Sequence, residues 1–92
     1  MSVLSQEEAN RKMGTLPEWK IESGELVRTF QFEDFVAALD FVNRVGAVAE
    51  EAKHHPDVDI RYNRVRLALV SHDAGGLTSK DFDVAHRVDK LF

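Results

Sequence analysis

The spacing of apolar side chains changes period several times along this chain, and each change marks an element. Ser5-Gln6-Glu7-Glu8 has the form of a capping box, in which a Ser hydroxyl accepts from the N–H three residues on and a Glu carboxylate reaches back. It predicts a short helix to Met13, with Gly14 as a natural stop. Trp19 and Ile21 then alternate with Lys20, Ser23-Gly24 supplies a turn, and Leu26, Phe30 and Phe32 alternate with Val27, Thr29 and Gln31. A period of two predicts a hairpin, although Arg28 breaks its apolar face.

From Glu33 to His54 the period becomes 3.6, with Asp34 near the start, where the positive end of the helix dipole favours it. The apolar positions from Phe35 to Ala52 cover an arc of roughly 180°. Packing on one sheet face does not need so wide a stripe; such a stripe is usually core, and a contact of Phe41 and Val48, at one edge, with another subunit is the alternative reading. Pro56 disfavours a helical His55, so the helix should end at about His54. Val58, Ile60 and Tyr62 predict a third strand, Asn63 a left-handed turn, and Val65, Leu67 and Leu69 a fourth strand with His72 at its end. Thr78-Ser79-Lys80-Asp81 repeats the capping-box form and opens a last helix carrying Phe82, Ala85 and Val88. The order α-β-β-α-β-β-α predicts an α+β fold, an antiparallel four-stranded sheet with helices packed on one face.

Composition narrows the function classes. Ninety-two residues predict one domain, 1–92. With no cysteine, disulfide and thiolate chemistry are excluded, and a cytoplasmic location is expected. A formal net charge of -4 argues against direct nucleic-acid binding, which normally needs a basic stripe. The longest aliphatic run, Leu67 to Val70, is too short for a membrane span, and the first twenty residues carry no targeting pattern.

Candidate chemistry lies in the histidines. Imidazole is the side chain whose unperturbed titration falls near neutral pH. His54, one turn after Glu50 and at a helix C-terminus, is expected to be favoured in its acid form by both. His72 leaves a strand end before the flexible Gly75-Gly76 loop. His54 and His72 each lie nine residues from Asn63, so a hairpin turning there brings them to one end of the sheet. Each histidine alone has an ordinary structural reading, as a helix stop or a strand-end residue. Asp81 reads more readily as a helix cap than as a catalyst, Tyr62 as packing or hydrogen bonding in the sheet and His86 as a surface helix residue. A divalent-metal site built from the three histidines and a carboxylate is a further alternative.

The joint spacing is more specific. Glu50-x-x-x-His54-His55-Pro56, then Tyr62, His72 and Asp81, resembles the motif of the pterin-4a-carbinolamine dehydratase family. Phe30-Gln31-Phe32-Glu33-Asp34-Phe35, Tyr62-Asn63-Arg64-Val65 and Gly75-Gly76-Leu77-Thr78 also resemble it. Ser71 stands where Thr is common, and Val58 where a bulky aromatic is often found. The resemblance implies a 4a-hydroxytetrahydrobiopterin dehydratase that removes water from a 4a-hydroxy-tetrahydropterin, without cofactor or metal. It implies His54 and His72 as the acid–base pair, with His55 orienting the pterin. Glu50, Lys53, Asp81, the main chain around Ser71 to Asp73 and, more weakly, Trp19 are the expected substrate contacts. A homo-oligomer, dimer or tetramer, is expected. The alternative is a dimerisation or coactivator-type protein-binding module, with Phe41, Val45 and Val48 as its surface.

Overall fold

A computed structural model of the protein describes residues 2–92 and has the expected element order. It comprises α1 (Gln6–Met13), β1 (Lys20–Glu22), β2 (Glu25–Gln31), α2 (Phe35–Ala52), β3 (Asp57–Arg61), β4 (Arg64–Leu69) and α3 (Ser79–Asp89). The four strands form one antiparallel sheet in the order β1-β2-β4-β3. The central pair joins strands from different hairpins, with Leu26 opposite Leu69 and Phe30 opposite Val65. Alternation sends Leu26, Phe30, Val65, Leu67 and Leu69 to one face, where they meet Ala38, Phe41 and Val45 of α2 and Phe82, Ala85 and Val88 of α3 in a single buried cluster.

Both capping boxes are present. Ser5 Oγ accepts from the Glu8 N–H at 3.1 Å while Glu8 accepts from the Ser5 N–H at 3.0 Å. Thr78 and Asp81 make the corresponding pair at α3. Asp34 caps α2 by accepting from the Ala37 N–H. Arg28, out of place in the strand pattern, is accounted for by its neighbours. Its guanidinium lies 4.2 Å from the Phe30 ring centroid and donates to Asp89 at 2.9 Å.

Three expectations are corrected. First, α2 ends at Ala52. Lys53 takes the left-handed conformation (φ 55°), its N–H donates to the Ala49 and Glu50 carbonyls, and the His54 N–H donates to the Ala49 carbonyl. That is a Schellman ending, and it releases His54 from the helix. Second, Tyr62 and not Asn63 is left-handed in the β3–β4 turn (φ 53°). Tyr62 is 66% exposed instead of packing in the sheet. Asn63 instead clamps the turn to the end of β2, donating to the Phe32 carbonyl at 2.8 Å. Third, Phe41 and Val45 are buried in the core, with Phe41 4.7 Å from Phe30 and 4.9 Å from Phe32, centroid to centroid. Val48 is packed partly against the same core. These three do not form an open docking face in this chain. The exposed apolar side of α2 is instead its first turn, where Phe35, Val36 and Leu39 stand out.

Candidate active site

The β3–β4 register opposes Asp57 to Ala68 and Arg61 to Arg64. The segment before β3, which carries His54 and His55, and the segment after β4, which carries Ser71 and His72, therefore leave the sheet at the same end. The N-terminus of α3 closes over this end and brings Asp81 with it.

Asp81 is the centre of the arrangement and is fully buried. One carboxylate oxygen, Oδ1, lies 2.5 Å from Nε2 of His54. The other, Oδ2, accepts from the Ser71 hydroxyl at 2.9 Å and from the Thr78 N–H at 2.9 Å. The Ser71 and Thr78 hydroxyls are themselves 2.8 Å apart, and both residues are fully buried. Three elements thus converge on one carboxylate whose acceptor capacity is well used, the condition under which a buried acid is tolerated. The His54 side chain is 13% exposed. Among the described residues, no buried side-chain nitrogen or oxygen lacks a hydrogen-bond partner, and Nδ1 of His54 makes no hydrogen bond. Nδ1 therefore reaches the surface. One ring nitrogen faces a buried carboxylate and the other keeps some access to solvent.

The expected pairing of Glu50 with His54 is corrected. Because the chain turns left-handed at Lys53, His54 swings to Asp81, and Glu50 bonds Nε2 of His55 instead. That second pair is exposed on both sides (57% and 79%), so solvent screens it. Lys53 is exposed, with its backbone serving as the helix ending.

His72 is exposed in the tight loop after β4. In that loop the Ser71 carbonyl accepts from the N–H groups of Ala74, Gly75 and Gly76, and the Ser71 N–H donates to the Gly76 carbonyl. Gly75, at φ 83°, permits the turn. His72 lines a hollow of about 380 Å3 with Ser23, Gly24, Glu25, Val70 and Gly76. The β1–β2 turn was not anticipated as part of this site. Its presence follows from β2 lying beside β4, an adjacency that strand patterning alone does not fix. Asp73 is exposed in the same loop.

Of the residues expected to contact substrate, Ser71, Asp81 and Trp19 are buried. Ser71 also has its N–H and carbonyl committed within the loop. Trp19 stacks edge-on to Phe30 and donates its indole N–H to Asp89 at 2.9 Å, on the core side of the sheet. His86, outside the motif, is exposed and meets the Thr15 hydroxyl at 3.0 Å. Among the described residues, no three His, Asp or Glu side chains group so as to hold a metal ion, and no helix is long and apolar enough to cross a membrane.

With this geometry in hand, comparison with known proteins is decisive for the family. The family described as Pterin 4 alpha carbinolamine dehydratase matches residues 2–91. The chain belongs to this family. A provisionally named pterin-4-alpha-carbinolamine dehydratase of Acidobacterium capsulatum is 54% identical over 91 residues, covering 99% of both chains. One of Chloroflexus aurantiacus is 53% identical, covering 99% of this chain and 98% of that one. Among solved structures, a transcriptional coactivator/pterin dehydratase of Brucella melitensis superimposes with a TM-score of 0.93 at 29% identity, over 98% of each chain. A pterin dehydratase-like protein described as a RuBisCO assembly factor of the alpha-carboxysome shares the fold, with a TM-score of 0.64 at 23% identity, over 79% of this chain and 84% of that one. Within the pterin-4a-carbinolamine dehydratase family the fold is therefore common property, and what this member does must be argued from its site.

Proposed function

We propose that the protein is a hydro-lyase that removes water from a 4a-hydroxy-tetrahydropterin to give a quinonoid dihydropterin, by histidine acid–base catalysis. The observation that carries this reading is the His54 ring, with Nε2 on the buried carboxylate of Asp81 and Nδ1 open, at the sheet end that also carries His72. Family membership supplies the substrate class. The reaction needs two proton movements. The 4a-hydroxyl must gain a proton so that the C–O bond breaks and water leaves. The neighbouring ring nitrogen must lose its proton as its electron pair forms the new C=N bond. Two imidazoles, one giving and one taking, balance the step with no oxidant or covalent intermediate. His54 and His72 fill these roles, and His55, exposed and held by Glu50, orients the pterin. The reading places the reaction in a cytoplasmic enzyme.

The test is stopped-flow measurement of 4a-hydroxy-tetrahydropterin breakdown with and without the protein, and with His54→Ala and His72→Ala. Each variant should lose about 10²-fold or more in kcat, the usual share of one acid–base group, while remaining folded. Full turnover in either variant removes that histidine from the mechanism.

A second reading, a protein-binding module, draws support from the exposed first turn of α2, where Val36 is 74% exposed beside Phe35 and Leu39. Single apolar residues on a surface are ordinary, but three on one helical turn make a patch. A self-associating oligomer built on this turn is part of that reading. Val36→Asp should then break association or partner binding and leave turnover intact.

A further inference from the structure

The hydrogen bonds behind His54 have only one consistent direction when Asp81 is ionised. Backbone N–H groups can only donate, which fixes Thr78 N–H as a donor to Asp81 Oδ2 and Lys80 N–H as a donor to Thr78 Oγ1. The Ser71 hydroxyl donates its single proton to Asp81 Oδ2. The 2.8 Å contact between the two hydroxyls must then use the Thr78 proton, donated to Ser71 Oγ. All donors run towards the carboxylate, and Oδ1 is left to accept from Nε2 of His54. With no charged partner other than His54 and no exposed surface, Asp81 cannot act on a ligand itself.

From this we infer that Asp81, Ser71 and Thr78 are positioning residues that hold the proton of neutral His54 on Nε2, so that Nδ1 is the nitrogen that exchanges protons with the substrate. This rests on the proposed dehydratase reading for its kinetic consequence, but the tautomer itself does not depend on any substrate. Holding the ring this way keeps Nδ1 an open acceptor in the neutral form. It also places a carboxylate where the imidazolium charge develops once Nδ1 is protonated. Ser71 enters as the link between the loop that displays His72 and the carboxylate that orients His54. One hydroxyl therefore registers the two histidines against each other.

Asp81→Asn tests the direction. An Asn side chain can keep its oxygen towards Thr78 N–H and Ser71 Oγ and must then present its NH2 to His54, which forces Nε2 to accept and moves the ring proton to Nδ1. Long-range 15N–1H correlation spectra of the His54 ring should therefore show protonation at Nε2 in the wild type and at Nδ1 in Asp81→Asn. In the stopped-flow assay kcat should fall by about 10²-fold or more with KM nearly unchanged, since the open nitrogen is lost but no substrate contact is. Ser71→Ala should lower kcat by about 2- to 10-fold, the worth of one hydrogen bond, and Ser71→Thr should restore it. That pair keeps the test decisive if Asp81→Asn does not fold. The inference is overturned if the wild-type ring is protonated at Nδ1, if Asp81→Asn leaves the tautomer unchanged, if its loss lies in KM, or if Ser71→Thr fails to rescue. Absence of turnover in the wild type would instead count against the dehydratase reading, and the spectra would still decide the tautomer.

Discussion

Asp89 carries a sharp test of how the polar groups inside this fold are balanced. Its Oδ1 accepts both the Trp19 indole N–H and an Arg28 N–H, each at 2.9 Å. Asp89→Ala removes both partners at once. A neutral hydrogen bond is worth about 0.5–1.5 kcal/mol net and one to a charged group about 1.5–3 kcal/mol. The sum is reduced because the Arg28 guanidinium keeps its place over the Phe30 ring and, at 14% side-chain exposure, can reach water. The expected loss is about 2–3 kcal/mol. Asp89→Asn retains an acceptor oxygen for Trp19 and gives up the charge, so it should cost about half as much. Urea unfolding followed by Trp fluorescence reads this directly, because Trp19 is the only tryptophan and is buried. With a slope near the low end of the usual range for small chains, about 1–1.5 kcal/mol per M, the Asp89→Ala midpoint should drop by on the order of 2 M at an unchanged slope. An Asp89→Ala protein within about 0.5 kcal/mol of the wild type, or an Asp89→Asn protein equally destabilised, would show that the shared acceptor is not what secures Arg28 and Trp19.

Three further outcomes are expected. Phe41→Ala, which empties a site ringed by Phe30, Phe32 and Phe92, should cost about 3–5 kcal/mol in the same unfolding experiment, whereas Val36→Asp should stay within about 0.5 kcal/mol. Equal effects would return Phe41 to the surface. Lys53→Gly places the residue best suited to a left-handed helix ending at φ 55° and should raise stability by up to about 1 kcal/mol, against the expected loss for Gly elsewhere; a fall in melting temperature would refute the relief of strain. Glu8, whose carboxyl is held below its ordinary range chiefly by the Ser5 N–H and hydroxyl, with Arg11 and Lys12 adding to this, should stabilise the start of α1. Its folded value is depressed, so that contribution is complete above the ordinary carboxylate range and is lost as pH falls through the depressed value. Amide exchange at Ser5 and Glu8 against pH, compared with Glu8→Gln, should show this dependence in the wild type alone.

What could be read from the chain was what neighbours in sequence decide. Both capping boxes, an acidic Asp34 at the start of α2 and the antiparallel strands depend on near neighbours in sequence or on strict alternation, and these are written locally. The misread features were set by a single backbone angle or by distant partners. Projecting His54 onto the helix put it one turn from Glu50, but a left-handed Lys53 ended the helix first and exchanged the two pairs, giving Glu50 to His55 and His54 to Asp81. Asn63 carried the usual side chain for a left-handed turn, yet its amide was needed at the Phe32 carbonyl, and Tyr62 took the angle. Phe41 looked peripheral on a helical projection because Phe30, Phe32 and Phe92, which enclose it, come from a strand, its end and the C-terminus. Asp81 was legible as a cap. Its second role was not, because Ser71 and His54 reach it only once β4 pairs with β3.

That double role has a mechanical consequence. The carboxylate that caps α3 is also the one that orients His54, so the same oxygens serve the fold and the site. A capping box by itself accepts either Glu or Gln at its third helical position, and exchange among cap residues has modest cost. Here the longer side chain of an Asp81→Glu variant could still cap the helix but would not leave an oxygen at the same distance from Nε2, so geometry at the site narrows a choice that helix chemistry leaves wide. The anchoring of α3 by Phe82, Ala85 and Val88 in the core then matters for His54 as well as for stability. Loosening that helix moves Asp81, and Asp81 carries the imidazole with it. The sheet alone does not decide what a member of this fold does; in this chain the coupling at one end of the sheet ties the placement of His54 to the packing of α3.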